Sequence, residues 1–479
     1  MQLGIDLGTS AVKLLVRNGN SIVPVSSPLS VQSPHNYWSE QDPEDWWQAL
    51  LEGLRKLARD VPLAQISAIG LSGQMHGLVV LDDAHRVIRP AILWNDGRSF
   101  TQAAAMAKAL PDVGTLAGVP PLPGFTAPKV LWMKEHEPAQ YARIRHILLP
   151  KDYIGLRLHG ALATDPSDAA GSLWLDQAAR AWSDRLCAAS ATDVAWLPRL
   201  HDGSEVAGRV TPQAATQTGL PAGLPVVAGG GDAATGAVAM GATQEGGRFI
   251  SLGTSGQVFV ARDRHLPNPG KMVHAFAHCV PDHWFQMAAM LNGARPMSWF
   301  ANVAQAGIPT LLQEAQVGDS GRTPLFLPYL TGERSPHGDP HIRGGFYGLE
   351  DQTARGDMMR AVVDSVAFCF ADAFDSIGND PASQPALAIG GGAQSDYVLQ
   401  RIADASGQHL ERAAGADAGP AMGAAKLAAV AVGDLSLSDL SLRPDAEAHF
   451  TPRPDTTGLL DRLARYRQLY EALKPMREV

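Results

Sequence analysis

Two short segments of the chain place hydroxyl groups on a glycine turn directly after an apolar strand. They are Leu7–Ser10 and Leu252–Ser255, and both read Leu-Gly-Thr-Ser. A turn through Gly-Thr-Ser directs backbone N–H groups to one side, and such a concave set of donors can bind an anion. One turn in each half of the chain predicts two related domains that close on a polyphosphate. Phosphoryl transfer from a nucleotide is therefore the first hypothesis.

Asp232 is the candidate general base. It follows Gly229-Gly230-Gly231 at the point where a predicted strand gives way to a helix. Glycines there let a ligand approach the backbone, and the carboxylate can accept a proton from a substrate hydroxyl and orient that hydroxyl. The alternative interpretation is a helix N-cap, a role for which Asp is preferred. Both roles are compatible only if the carboxylate points outward.

The same segment matches a relaxed dinucleotide-binding fingerprint, Gly229-x-Gly231-x-x-Ala234. No acidic residue ends a following strand at the expected distance, so we disfavour a dehydrogenase. The chain also has no P-loop motif and no protein-kinase catalytic loop.

Asp6 directly precedes the first glycine turn and is a candidate ligand of Mg²⁺, which keeps several waters beside carboxylates and phosphates. An aspartate buried in an apolar strand is costly without a task, so we favour this role over a surface turn. Lys13, on the next predicted strand, either lies against the phosphates or is solvated.

Two further segments suit a polyhydroxylated ligand. Met75 and His76 lie between Gly73 and Gly77, which favours a loop that a ligand approaches over a merely structural histidine. Trp94-Asn95-Asp96-Gly97-Arg98 offers an aromatic face, an amide, a carboxylate and a guanidinium.

Composition sets the frame for these motifs. The 479 residues are 45% hydrophobic and 18% charged, with a formal net charge of −9. This is typical of a globular protein of two or three domains. No basic tract predicts a nucleic-acid surface, and no apolar run is long enough to predict a membrane span. Three scattered cysteines argue against a disulfide or metal framework and fit buried thiols in the cytoplasm.

Short apolar strands alternate with helices along the chain, which predicts an α/β fold. Strands are expected at 2–6, 66–71, 224–228, 248–251 and 386–389, and helices at 42–60, 127–135, 233–240, 357–377, 397–407 and 459–473. The last of these strands runs into Gly390-Gly391-Gly392, which can pass beneath an adenine or a ribose. We place a domain boundary between residues 243 and 244. No Pro/Ser linker marks it, so the two halves, 1–243 and 244–479, should share a wide interface.

The ordered set of motifs resembles the FGGY family of carbohydrate kinases over nearly the whole chain. The segments that carry the resemblance are 4–10, 38–43, 73–77, 92–98, 123–138, 149–153, 229–232, 251–256, 332–337 and 389–393. Within the family, the sequence resembles the members that phosphorylate D-xylulose.

The resemblance implies two actin-like (ribonuclease H-like) domains around a cleft, with the sugar on the first domain and ATP with Mg²⁺ mainly on the second. Asp232 matches the catalytic base, and Asp6 with Asp232 the metal-associated carboxylates. Nucleotide-binding positions are Thr9, Ser10, Lys13, Gly253, Thr254, Ser255, Gly391 and Gly392. Sugar-binding positions are Met75, His76, Trp94 and Asp232. The family also implies a homodimer.

One departure bears on the sugar. Members that phosphorylate D-xylulose commonly carry Asn after the base, where this chain has Ala233, and Arg295 stands where a small or polar residue is expected. Losing one sugar contact leaves the transfer chemistry intact but relaxes discrimination between substrates. Ribulose, L-xylulose or a pentitol is the alternative acceptor. A non-catalytic sugar sensor and an actin-like ATPase are alternatives of other classes.

Overall fold

Two seven-stranded sheets, one from each half of the chain, form the framework of the protein. The computed structural model describes residues 1–19, 21–317, 320–378, 384–414 and 419–476.

Among its described residues, the first half contains fifteen strands and ten α-helices. The strands are β1 Gln2–Leu7, β2 Ala11–Asn18, β3 Ser21–Pro28, β4 Glu40–Gln41, β5 Ala68–Gly73, β6 Val79–Leu81, β7 Ala91–Ile92, β8 His146–Leu148, β9 Ala163–Thr164, β10 Leu175–Asp176, β11 Ala181–Trp182, β12 Arg199–Leu200, β13 Val206–Arg209, β14 Pro225–Val227 and β15 Gly230–Gly231. The helices are α1 Pro43–Leu57, α2 Phe100–Ala109, α3 Val113–Leu116, α4 Thr126–His136, α5 Pro138–Tyr141, α6 Pro150–His159, α7 Pro166–Ala170, α8 Asp184–Ala189, α9 Pro212–Thr218 and α10 Asp232–Ala239.

In the described part of the second half, the strands are β16 Arg248–Leu252, β17 Gly256–Arg262, β18 Val273–Ala277, β19 Trp284–Met290, β20 Leu325–Leu327, β21 Gly345–Tyr347, β22 Ala386–Ile389, β23 Leu410–Ala413 and β24 Ala446–Phe450. The helices are α11 Arg295–Val303, α12 Ile308–Val317, α13 Arg355–Ile377, α14 Asp396–Ser406, α15 Gly419–Ala431 and α16 Thr457–Leu473.

The two main sheets repeat one topology. The first contains the order β3-β2-β1-β5-β14 and the second the order β19-β17-β16-β22-β23. In each, the leading strand pairs antiparallel with the next strand in sequence and parallel with the strand on its other side. Both Leu-Gly-Thr-Ser segments form the turn between the first two strands of their sheet. The predicted α/β fold and the suspected structural duplication are therefore confirmed.

Helix α15 comes from the second half of the chain but packs on the first sheet, against β1, β5 and α10. Glycines make this close approach possible. A Cβ atom at Gly4 would lie 1.9 Å from the carbonyl oxygen of Ala421, and one at Gly70 would lie 1.9 Å from that of Ala424. The division at residues 243 and 244 stays a prediction, and α15 ties the two halves together across it.

The predicted elements are present, with their ends shifted by a few residues. Helix α1 begins at Pro43 because Asp42 caps it, accepting a hydrogen bond from the Glu44 N–H. Strand β5 begins at Ala68 rather than at residue 66, after a 3₁₀ turn over Leu63–Gln65. Strand β7 ends at Ile92, before the Trp94 segment.

The three cysteines are free and buried, as expected. Among the described residues, no helix is both long enough and apolar enough to cross a membrane.

The contact between α15 and β5 makes a stability prediction. We expect Gly70→Ala to lower the free energy of unfolding by about 1–3 kcal/mol, because the new methyl group overpacks against the backbone of α15. Gly345→Ala is the control, since nothing lies within 4 Å of its added Cβ atom. Chemical denaturation of both variants measures the difference, and equal midpoints would contradict this account of the packing.

Candidate active site

The first hairpin, at residues 8–10, and the second hairpin, at residues 253–255, present free backbone donors. Among the described residues, the N–H groups of Thr9, Ser10, Thr254 and Ser255 make no hydrogen bond within the protein. Ser10, Thr254 and Ser255 are exposed at the turns. Unpaired N–H groups on a tight turn are what an oxyanion binds.

The first hairpin is held by the side chains of Gln41, Gln74 and Trp94. The Thr9 hydroxyl donates to Gln74 Oε1 at 2.8 Å and accepts from Trp94 Nε1 at 2.9 Å. Gln41 Nε2 donates to the Thr9 carbonyl at 2.8 Å. Because its hydroxyl is already engaged, Thr9 offers an anion mainly its backbone N–H, while Trp94 remains 41% exposed.

Asp6 lies in β1 and is only 5% exposed. Burial raises the pKa of its carboxyl group, and the charge of Lys13 and a hydrogen bond from Ser72 offset part of that rise. The Ser72 hydroxyl is 3.1 Å from Asp6 Oδ1 and 2.7 Å from the Thr235 hydroxyl. These two hydrogen bonds connect Asp6 to α10, the helix that carries Asp232.

Lys13 stands opposite Asp6 in the β1–β2 register, and its side chain is exposed. It therefore lies beside the first hairpin, and its charge acts on Asp6.

Asp232 is the first residue of α10, and the residue at its N-cap position is Gly231. The N-cap interpretation is therefore wrong. One carboxylate oxygen accepts from the Ala233 N–H at 2.8 Å, and no described side chain donates to Asp232. Burial first, and the negative charge of Asp6 second, raise the pKa of Asp232 to about 7. The helix N-terminus stabilises the charged form.

The triple glycine permits tight packing around this carboxylate. Gly229 has φ +76°, and a Cβ atom there would lie 1.8 Å from the Leu71 carbonyl oxygen. A Cβ atom at Gly231 would lie 2.8 Å from Met75 Sδ. Met75 therefore packs directly against the loop that presents Asp232, which brings two predicted site residues together.

A buried ion cluster beneath the loop is a feature that sequence reasoning missed. Lys151 Nζ lies 2.5 Å from Asp152, 3.0 Å from Asp165 and 3.4 Å from Asp168, and all four side chains are buried. Burial opposes the charge of Lys151, but the three carboxylates outweigh it and raise the lysine pKa.

This cluster is connected to Asp232. Asp165 caps α7 by accepting from the Ser167 N–H at 2.7 Å, and the Ser167 hydroxyl accepts from the Gly231 N–H at 3.1 Å. The pKa of Asp168 is raised well above its usual value by burial, and the charge of Asp232 adds to the shift. The Lys151 cluster therefore supports the position of the Asp232 loop and acts on it electrostatically.

His76 is held in a left-handed backbone conformation, with φ +69°. Its carbonyl accepts from Lys129 Nζ at 2.8 Å and from the Thr126 hydroxyl at 3.0 Å. Its ring Nδ1 lies 2.8 Å from the Gly171 carbonyl oxygen. Since a carbonyl only accepts, Nδ1 carries the proton and donates.

His76 is neutral at physiological pH. Burial lowers its pKa to about 3, and the nearby charges of Lys129 and Arg334 act in the same direction. With Nδ1 protonated in a neutral ring, Nε2 is a hydrogen-bond acceptor. His76 Nε2 can therefore accept a hydrogen bond from a hydroxyl group, while the ring stays uncharged.

Asp96 and Arg98 do not line the site as the motif suggested. Asp96 accepts from the Ser39 N–H at 2.6 Å and from Arg98 Nη2 at 2.6 Å, while Arg98 also pairs with Glu40 at 2.7 Å and lies 3.6 Å above the Trp38 ring. Both charged groups are therefore engaged by partners within the first half of the chain. Trp94 is the residue of that segment that stays near the first hairpin.

A cavity of about 690 Å³ lies beside the second hairpin. Gly253, Thr254, Gly391 and Gly392 line it, together with apolar side chains of α11 and α12. Gly390 has φ +94°, and a Cβ atom there would lie 2.9 Å from the Leu252 carbonyl oxygen, so the glycine run packs against the end of β16. The volume and the apolar lining suit a nucleoside.

The carboxylates fit a divalent cation that also has phosphate ligands. Asp6 and Asp232 are two acidic groups that carry no ion-pair partner within 4 Å among the described residues, and the charge of Asp6 raises the pKa of Asp232. Mg²⁺ is usually held by one or two carboxylates, substrate phosphates and water. The described residues contain no cluster of three or more His, Cys, Asp or Glu side chains that would hold a metal alone.

The fold and the site together define a two-domain phosphotransferase of the actin-like (ribonuclease H-like) class. Sequence models of the N-terminal and C-terminal domains of the FGGY family of carbohydrate kinases match residues 1–239 and 249–432. The chain belongs to the FGGY family of carbohydrate kinases.

Similar proteins extend over the full length. The chain is 42% identical to the xylulose kinase of Escherichia coli, covering 99% of this chain and 100% of that protein, and 40% identical to the one from Klebsiella pneumoniae with the same coverage. Among solved structures, the xyloylose kinase of Brucella ovis has a TM-score of 0.94 at 38% identity, covering 99% of both chains.

The Lys151 cluster makes a second stability prediction. We expect Lys151→Met to cost about 3–5 kcal/mol, because it leaves buried carboxylates without their cation. Lys134→Met, at an exposed position on α4, is the control and should change little. Thermal and chemical unfolding measure both, and a Lys151→Met protein as stable as its control would show that the cluster does not depend on this charge.

Proposed function

We propose that this protein transfers the γ-phosphate of ATP to the terminal hydroxyl of D-xylulose, giving D-xylulose 5-phosphate. The observation that carries the reaction type is the unpaired Asp232 carboxylate near two hairpins of free N–H donors. The xylulose kinases that resemble the chain along its full length support the sugar.

Asp232 acts as the general base in this proposal. A carboxyl group with a pKa of about 7 is a better proton acceptor than an ordinary aspartate and is still ionised in a large fraction of molecules at neutral pH. Its single hydrogen bond to the Ala233 N–H fixes the carboxylate and leaves lone pairs free for the sugar hydroxyl. In phosphoryl transfer, orienting the nucleophile in this way matters more than removing the proton early.

The sugar lies on the first domain. His76 Nε2 accepts from a sugar hydroxyl, Met75 forms the apolar floor beside the base, and the exposed face of Trp94 covers the ring or chain carbons. Binding energy at these three residues places the terminal hydroxyl near Asp232, which converts a two-body reaction into an oriented one.

The nucleotide lies on the second domain and reaches across the cleft. The nucleoside occupies the cavity beside Gly391 and Gly392, and the phosphates bind the N–H groups of the two hairpins, which stabilise developing charge. Lys13 adds a positive charge beside the first hairpin. Asp6 and Asp232 would hold Mg²⁺, which neutralises charge on the phosphates when bound.

Ala233 keeps a second acceptor in view. Its methyl group offers no hydrogen bond to the sugar. The preference for D-xylulose over another ketose or a pentitol, such as ribulose, L-xylulose or xylitol, is therefore smaller than at a site with an amide there. We further propose a homodimer in the cytoplasm, supported by the family resemblance and by the three free, buried thiols.

A sugar panel tests the proposal. We expect purified protein with MgATP to release ADP fastest with D-xylulose and only at background rate without sugar. The panel includes D-ribulose, L-xylulose, xylitol and glycerol. A preference for another sugar would retain the mechanism and reject D-xylulose as the substrate. A rate of ADP release that is the same with and without each sugar would reject the assignment as a sugar kinase.

Asp232→Asn gives a prediction with two readouts. We expect turnover to fall by at least about 10²–10⁴-fold, because the amide cannot accept the proton, while ADP binding in the absence of sugar stays close to wild type. Asn also removes a buried charge. In metal-free buffer the variant should therefore be more stable than wild type at pH 8, by about 1–3 kcal/mol.

The sign follows from the raised pKa. The folded wild type keeps a proton on Asp232 up to about pH 7, whereas the unfolded chain releases it near the ordinary value of 3.8. The folded state thus loses stability as pH rises between those values, and the advantage of Asn should vanish at pH 4. A stability difference that does not change with pH would contradict the assigned pKa, and wild-type turnover would contradict the base.

A further inference from the structure

Arg295 is fixed against the second hairpin by its own backbone. The Arg295 N–H donates to the Thr254 carbonyl at 3.2 Å, and the Ala294 N–H donates to the Gly253 carbonyl at 2.7 Å. A Cβ atom at Gly293 would lie 2.4 Å from the Ser255 carbonyl oxygen, so the strand-to-helix turn rests directly on the hairpin. The position of Arg295 relative to the anion-binding turn is therefore built into the fold.

The guanidinium group of Arg295 has no ion-pair partner among the described residues. Its half-buried side chain donates one hydrogen bond, from Nη1 to the Thr331 hydroxyl at 3.0 Å, and no described carboxylate forms an ion pair with it. Arginines elsewhere in the same half are paired, for example Arg401 with Asp364 and Arg453 with Asp404. Arg295 thus retains several N–H donors without a partner.

Its place in the helix makes this charge more costly. Arg295 is the first residue of α11, a helix of nine residues. The N-terminus of a helix carries partial positive charge, so a cation there is repelled unless an anion lies between them. An unpaired guanidinium, a helix N-terminus and a hairpin of free N–H groups converge on one place, and each of the three favours a bound anion.

The neighbours of Arg295 indicate which part of a nucleotide lies there. Ala294 and Met297 line the nucleoside cavity, whereas the Arg295 side chain turns to Thr331. Three residues beyond Thr331, Arg334 lies close enough to His76 and His274 on the sugar side to lower the pKa of both imidazoles. The Arg295 side chain therefore points away from the nucleoside cavity and toward the segment 331–334, whose Arg334 acts on His76. The terminal phosphates of a nucleotide in that cavity are expected on this side.

We propose that Arg295 binds the terminal phosphates of the nucleotide and supplements the N–H groups of the second hairpin. This inference rests on the proposed use of ATP but not on the identity of the sugar. The planar guanidinium can donate two parallel hydrogen bonds to phosphate oxygens, which a single N–H group cannot do.

The test compares Arg295→Gln and Arg295→Lys with wild type in equilibrium binding of adenosine, AMP, MgADP and MgATP, without any sugar. Gln keeps a donor for Thr331 but no charge, and Lys keeps the charge. We expect Arg295→Gln to weaken MgATP binding about tenfold or more, to weaken MgADP binding less or equally, and to leave adenosine unchanged. Lys should recover most of the lost affinity. Arg465→Gln, at an exposed position on α16, is the matched control and should bind every nucleotide like wild type.

Two results would overturn the proposal. Equal weakening of adenosine and MgATP by Arg295→Gln would assign Arg295 a structural role at Thr331, and unchanged MgATP binding would assign it no role in binding. If Arg295→Gln fails to fold, Arg295→Met, which also lacks the charge, is measured in its place and is judged by the same two results. Because these binding measurements contain no sugar, they are independent of the sugar panel. Either test can contradict its own proposal while the other proposal is supported.

Discussion

The rest of the site depends on two neighbouring carboxylates, the buried Asp6 and the half-buried Asp232. Desolvation raises the pKa of both carboxyl groups, and the charge of Asp6 makes ionisation of Asp232 harder still. Such a pair is unfavourable in the isolated protein. In the proposed function, a cation and a substrate hydroxyl beside the two carboxylates would offset this cost.

The surrounding fold keeps these carboxylates in place against that cost. Ser72 and Thr235 join Asp6 to the helix of Asp232, and Ser167 joins the glycine loop to the Lys151 cluster. Each of the duplicated sheets carries one Gly-Thr-Ser hairpin between its first two strands. Helix α15 comes from the second half and packs on the first sheet and on α10, the helix of Asp232, so the two halves form one continuous framework.

Local chemistry explains which of these features could be predicted from the sequence. The Gly-Thr-Ser turns, the glycine run before Asp232 and the buried Asp6 depend on a few adjacent residues, and each has the expected place. Features set by distant contacts could not be predicted. Asp96 and Arg98 find partners at Ser39, Glu40 and Trp38, and three carboxylates converge on Lys151 only after folding. The residue pattern of α15 likewise does not show which of the two sheets this helix packs against. The N-cap interpretation was wrong by one residue: Gly231 is the N-cap residue, and Asp232 is the first residue of α10.

The most direct measurement is a crystal structure of Asp232→Asn with D-xylulose and a non-hydrolysable MgATP analogue. The account predicts that the terminal hydroxyl of the sugar lies about 2.6–3.2 Å from the residue 232 side chain and in line with the γ-phosphate. It also predicts that a sugar hydroxyl donates to His76 Nε2. A sugar bound with another hydroxyl, or no hydroxyl, facing residue 232 would contradict the central claim.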